Sequence, residues 1–101
     1  MKNYFDVAGK YAFVTGASSG LGRQFAICLA EQGANVAIAA RRVEKLEEVK
    51  KEVEAYGVKC LALPCDVTDS AQVKSAVDAA VAEFGRIDIL INNAAAGFAT
   101  P

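Results

Sequence analysis

Three glycines, Gly16, Gly20 and Gly22, fall within seven residues of one another in the segment TGASSGLG, and Ser18 and Ser19 lie between them. Glycine allows a tight turn and lets backbone N–H groups come close to a ligand. Serine adds hydroxyl donors. If such a loop opens a helix, the positive end of the helix dipole adds to the field, and the whole becomes a cradle for a phosphate or pyrophosphate. Leu21 lies inside the same cradle. A second cluster is Arg41-Arg42, which follows the apolar run NVAIAA. A planar guanidinium pairs with phosphate oxygens through two parallel bonds. The alternative for these arginines is mere solvation of a helix start, but two cations there oppose the helix dipole. Two further polar pairs close apolar runs: Asp66-Val67 after KCLALP, and Asn92-Asn93 after IDILI. Consecutive amides at the end of an apolar strand are costly unless they are hydrogen-bonded.

The elements that must carry these residues follow from periodicity. Short apolar runs at 11–15, 35–40, 59–64 and 87–91 read as strands buried on both faces. Between them lie amphipathic stretches of helical length. Residues 21–32 place Leu21, Phe25, Cys28 and Leu29 on one face, and Gly33 stops that helix. Residues 43–56 carry the stripe Leu46, Val49, Val53 and Tyr56, with Gly57 following. Residues 70–84 carry Val73, Val77, Ala80 or Val81, and Phe84, with Gly85 as the stop. Asp69 with Gln72 resembles a capping box, Thr68 being the alternative cap.

Strands alternating with helices specify an α/β fold with a parallel sheet and right-handed crossovers. The expected architecture is a Rossmann-type doubly wound sheet of order 3-2-1-4, with its switch point between the first and fourth strands. Ligands bind there, beyond the carboxyl ends of the strands. With 101 residues the chain is one domain at most.

The glycine spacing is G-x-x-x-G-x-G rather than G-x-G-x-x-G, and in this it resembles the TGxxxGxG loop of the short-chain dehydrogenase/reductase family. Gly9-Lys10 before the first strand, Cys65-Asp66-Val67-Thr68 after the third, and the run from Asp88 to Ala94 with its Asn92-Asn93-Ala94 corner resemble that family in the same order. The resemblance implies a nicotinamide dinucleotide as cofactor. It implies that Asp66 accepts from the adenine amine with the Val67 backbone alongside, and that Asn93 braces the sheet near the cofactor ribose. The residues themselves also allow helix capping in the Asp66 stretch. Ala95 departs from the family's usual glycine and would crowd the nicotinamide ribose slightly.

An acidic residue at the end of the second strand would bind the ribose 2′-hydroxyl of NAD and repel a phosphate. Here Ala40, Arg41 and Arg42 stand there, so the expected cofactor is NADP(H), with NAD(H) the less favoured choice. The expected cofactor-binding set is Gly16, Ser18, Ser19, Gly20, Leu21, Gly22, Arg41, Arg42, Asp66, Val67 and Asn93.

No catalytic residue is expected within the chain. Reducing a carbonyl by hydride transfer needs a proton donor, which in the family is a tyrosine in Y-x-x-x-K. Tyr4 is followed four residues on by Ala8, Tyr11 by Thr15 and Tyr56 by Cys60, and no histidine is present. The expectation is the N-terminal cofactor-binding part of a longer enzyme, its sheet incomplete and inactive alone, whose full length interconverts a secondary alcohol and a ketone as a homo-oligomer. The alternative is a non-catalytic dinucleotide-binding module or sensor.

Composition narrows the partners. Lysine and arginine total 11 against 12 acidic residues, a net charge of -1, which speaks against a nucleic-acid-coating surface. No run approaches the roughly 20 apolar residues of a membrane span. Three cysteines, Cys28, Cys60 and Cys65, without a secretory leader suit a reducing cytoplasm and read as small buried apolar residues rather than metal ligands.

Overall fold

The computed structural model describes residues 6–18 and 20–93. Its elements run β1 (Tyr11–Thr15), α1 (Gly20–Glu31), β2 (Asn35–Ala40), α2 (Val43–Glu54), β3 (Cys60–Pro64), α3 (Ser70–Phe84) and β4 (Ile89–Asn92). All strand pairs are parallel and the order is β3-β2-β1-β4. This is the expected doubly wound arrangement. β1 and β2 are buried on both faces because helices cover both, whereas the edge strands β3 and β4, expected to be buried likewise, are only partly covered, Leu90 being 63% exposed.

Alternation along the strands divides the interior into two cores. Val14, Val36, Ile38, Ala40 and Cys60 face α1 and α2 and pack with Leu46, Val49 and Val53. Phe13, Ala37 and Ala39 face α3 and pack with Ala76 and Ala80, flanked by Leu61, Leu63, Val73 and Val77. The register that produces this pairs Val14 with Ile38 and Ile91, and Phe13 with Ala37 and Leu90.

The buried face of α1 differs from the expectation. Leu21 is 56% and Phe25 36% exposed, and Cys28 is exposed. The helix instead buries Gly22, Ala26 and Ala30, four residues apart on one face, with Leu29 packed at the flank. Small side chains let the helix backbone approach the sheet closely, and a leucine or phenylalanine on that face would hold it away. Cys28 is therefore a surface thiol, unlike Cys60 and Cys65, which are buried. The same rule turns α3, where Ala76 and Ala80 are buried, Val73, Val77 and Phe84 flank them, and Val81 is exposed. In α2 the expected Leu46, Val49 and Val53 are buried, but the helix ends at Glu54 and leaves Tyr56 exposed, its hydroxyl donating to Glu31 Oε2 at 3.2 Å.

Polar contacts fix the elements against one another. Arg23 of α1 grips Glu52 of α2 with both arms of its guanidinium, Nε lying 2.9 Å from Oε1. At the amino end of the sheet Asp88 accepts from the Tyr11 N–H through Oδ2 at 2.9 Å, and its own N–H donates to the Tyr11 carbonyl at 2.7 Å. This reciprocal pair starts the β1–β4 ladder. Asp69 caps α3, accepting from the N–H groups of Ala71 and Gln72, and Gly85 ends the helix in a left-handed conformation.

The small-residue face of α1 gives a direct test. In the full-length protein Ala26→Leu is expected to lower stability by about 2 kcal/mol through overpacking, read as a shift in the denaturant midpoint. A stability equal to wild type would contradict close packing of α1 on the sheet.

Candidate functional site

The carboxyl ends of β1, β2 and β3 are tied together by backbone bonds that also shape the loops leaving them. The Gly16 and Ala17 N–H groups both donate to the Ala39 carbonyl, at 2.9 and 3.4 Å. The Cys65 N–H donates to the Ala40 carbonyl at 2.9 Å. Each loop therefore leaves its strand beside its neighbour, and the residues that follow share one rim.

In the glycine loop, Gly16 and Gly20 take φ values of +67° and +61°, a region that side chains disfavour. Gly22 is needed for a different reason. A Cβ there would lie 2.1 Å from the Gly16 carbonyl oxygen, because α1 packs on the backbone of the loop that precedes it. The three glycines thus do separate work: two turn the chain and one lets the helix dock. Gly16 and Ala17 spend their N–H groups on β2, so those two are not offered to an anion. No acidic side chain occupies the first turn of α1, so its positive end is not neutralised. Ser18 is half-buried beside it, and Leu21 is exposed on the outer side of the first turn. Ser19 lies outside the described residues.

Arg41 and Arg42 directly follow β2 and are exposed. Arg42 occupies the N-cap position of α2 without a side-chain cap bond, so neither arginine is consumed by capping. Ala40 pairs in register with Pro64, which places Arg41 opposite Cys65 and beside Asp66. Asp66 Oδ1 accepts from the Thr68 N–H at 3.0 Å and from the Thr68 hydroxyl at 2.6 Å. Those bonds hold its carboxyl below the usual carboxylate range, and the Arg41 charge pulls the same way. Both bonds land on Oδ1, so Oδ2 stays available among the described residues. Asp66 thus closes a local turn through one oxygen and keeps the other as an acceptor, while the cap of α3 is Asp69. Val67 is half-buried against the α3-side core.

Beyond β4 the structure shows a contact that the sequence reading lacked. Thr15 is 3% exposed. Its hydroxyl lies 2.9 Å from Asn92 Oδ1 and 3.4 Å from the Ile91 carbonyl, across the gap where the strand order reverses. Thr15 and Asn92 are register partners. The available signal was a hydroxyl residue closing an apolar strand, and its partner could be named only once β1 and β4 were paired. Asn93 follows, half-buried. The expected departure at Ala95 lies outside the described residues.

Thr15 and Asn92 line a crevice of about 290 Å³ together with Val67, Thr68, Val73 and Leu90. A second groove, of about 370 Å³, runs between the outer edge of β3 and α3 and is walled mainly by Leu63, Cys65, Ala76 and Ala79. It contains none of the charged rim groups. Among the described residues no cluster of three histidine, cysteine or acidic side chains could hold a metal. Burial pushes the Cys60 thiol up to about 12, and burial also raises Cys65, so neither is a ready nucleophile. No helix among the described residues is long and apolar enough to cross a membrane.

The family described as short chain dehydrogenase matches residues 10–101. A 3-oxoacyl-(acyl-carrier-protein) reductase of Staphylococcus aureus is 46% identical over 86 residues, covering 84% of this chain and 35% of the relative. L-sorbose reductase of Gluconobacter frateurii, solved with NADPH and L-sorbose, superposes with a TM-score of 0.80 at 35% identity, over 85% of this chain and 34% of that one. Carveol dehydrogenase of Mycobacterium avium, solved with NAD, gives a TM-score of 0.80 at 34% identity, over 84% of this chain and 35% of that one. The chain thus spans about a third of the length of these proteins.

Two measurements test the site. Gly22→Ala in the full-length protein is expected to cost about 3 kcal/mol of stability, since backbone rather than a flexible side chain blocks the methyl; a melting temperature unchanged from wild type would contradict the contact. Because the Asp66 carboxyl is depressed in the folded state, its contribution to stability is present above the unfolded value of about 4 and is lost as pH falls through the folded one. Thr68→Val removes the hydroxyl donor, so the Asp66 carboxyl should titrate at higher pH, read by carboxyl-carbon NMR.

Proposed function

The chain belongs to the short chain dehydrogenase family, and from that premise we propose that it is the cofactor-binding part of an NADP(H)-dependent oxidoreductase that interconverts a secondary alcohol and a ketone. The observation that carries the cofactor choice is the pair of exposed, uncapped arginines directly after β2, where no carboxylate stands. Relatives of this fold are solved with NADPH and with NAD, so the family alone leaves the choice open. The charge at the rim of β2 favours the phosphate.

The residues fit a dinucleotide laid across the rim. The pyrophosphate meets the start of α1, where Gly16 and Gly20 turn the chain and Ser18 and Ser19 offer hydroxyls. Leu21 and Gly22 continue the first turn, Gly22 seating the helix on the loop. Arg41 and Arg42 take the 2′-phosphate through planar, permanently charged forks. Asp66 Oδ2 accepts from the adenine amine, with Val67 beside the ring. Asn93 follows Asn92, which Thr15 anchors, and lies towards the nicotinamide ribose. Once bound, the cofactor supplies or accepts the hydride. The proton must come from a group outside these 101 residues, since no tyrosine here has a lysine four residues on and no histidine substitutes. The 101 residues would then be one part of a single larger domain, inactive alone, in a protein of the reducing cytoplasm that assembles as a homo-oligomer.

The deciding experiment is Arg41→Asp in the full-length protein, with dissociation constants for NADPH and NADH measured by fluorescence. The wild type is expected to prefer NADPH, and the variant to lose roughly ten- to a hundredfold of that preference, as expected for a charge-assisted bond to phosphate. An unchanged NADPH/NADH ratio would refute the cofactor assignment. Binding of neither nucleotide by the wild type would refute the function.

A further inference from the structure

Resting on that dinucleotide reading, we infer that Gln72 is a positioning residue for adenine recognition: it holds the Asp66 main chain so that the free carboxylate oxygen faces the adenine amine. Both ends of its amide are engaged. Oε1 accepts from the Asp66 N–H at 2.8 Å, and Nε2 donates to Asp69 Oδ2 at 3.3 Å. An ordinary capping box would turn the side chain at this position back to the N–H of the cap residue. Here the Asp69 N–H is taken by the Asp66 carbonyl at 2.9 Å, and Gln72 reaches three residues further, to Asp66 itself.

The result is a continuous path from a rigid element to the rim. Helix α3 is seated on the sheet through Ala76 and Ala80. Its N-cap Asp69 is fixed by the N–H groups of Ala71 and Gln72 at 3.0 and 3.3 Å. Gln72 carries that frame to Asp66, whose Oδ1 is then closed by Thr68. With Oδ1 closed and the backbone held, Oδ2 has one orientation. Without the Gln72 oxygen, the Asp66 N–H turns to water and the carboxylate is free to rotate with its backbone.

Adenine and hypoxanthine separate orientation from general binding. The adenine amine donates to a carboxylate, whereas the hypoxanthine oxygen at the same place repels it. A site built around a buried or fixed acceptor rejects the analogue lacking its donor. The test measures dissociation constants of the full-length protein for NADPH and for its hypoxanthine counterpart. The wild type is expected to favour NADPH by about tenfold or more. Gln72→Ala should bring the two constants to within about threefold, while Gln72→Glu combined with Asp69→Asn, which keeps an acceptor for the Asp66 N–H and a donor–acceptor bond at the cap, should restore the preference.

Gln72 is exposed, so both variants are expected to fold. If Gln72→Ala weakens both nucleotides equally at the wild-type ratio, its role is structural and the inference fails alone, with the dinucleotide reading intact. A protein with Gln72→Glu and Asp69→Asn as indiscriminate as Gln72→Ala also overturns it. A wild type that binds both nucleotides equally overturns the adenine role of Asp66 and this inference together, and one that binds neither overturns the dinucleotide reading itself.

Discussion

Helix α1 docks on the backbone of the loop that leads into it, and most of the molecule depends on that contact. Gly22 lies so close to the Gly16 carbonyl that a methyl group would not fit. Ala26 and Ala30 continue the approach along β1 and β2. Close docking aims the start of the helix across the carboxyl ends of the strands, where its unneutralised positive end is useful to an anion. It also brings α1 against α2, where Arg23 grips Glu52. A larger residue at any of the three small positions would lift the helix and displace the loop.

The second constraint is the parallel sheet. Every strand ends at the same rim, so residues far apart in the chain become neighbours without any dedicated scaffold. Backbone bonds from Gly16, Ala17 and Cys65 to the Ala39 and Ala40 carbonyls keep the three exits together. Charge is distributed along that rim in a useful order, with arginines after β2 and a carboxylate after β3. The opposite end of the sheet is fastened by Asp88 and Tyr11, with the Tyr11 ring set against Phe84 and the Arg86 guanidinium. One end of the sheet is thus fastened by side chains, and the other carries the polar residues of the loops.

The elements themselves were legible from pattern. β1, β2 and α3 have the bounds that alternation, glycine stops and the Asp69 cap indicate, and the order 3-2-1-4 follows from the βαβ rhythm. The buried face of α1 was not legible, because a hydrophobicity pattern ranks Leu21 and Phe25 above Gly22 and Ala26. What decides that face is distance to the sheet, for which small size matters more than apolarity. Cys28 was misplaced for the same reason. Tyr56 sits two residues beyond the end of α2, where helical spacing no longer applies.

Local sequence determined the glycine loop, the arginine pair and the family, since each rests on residues adjacent in the chain or on strand and helix periods. Tertiary structure alone decided which atoms remain for a ligand. Pairing β1 with β2 consumes two loop N–H groups on Ala39. Pairing β1 with β4 joins Thr15 to Asn92, 77 residues away. Seating α3 brings the Gln72 oxygen to the Asp66 N–H rather than to the N–H of its own cap. Such contacts leave no periodic trace in a sequence, because they exist only after separate segments have been brought to one rim and their unspent donors and acceptors have found each other.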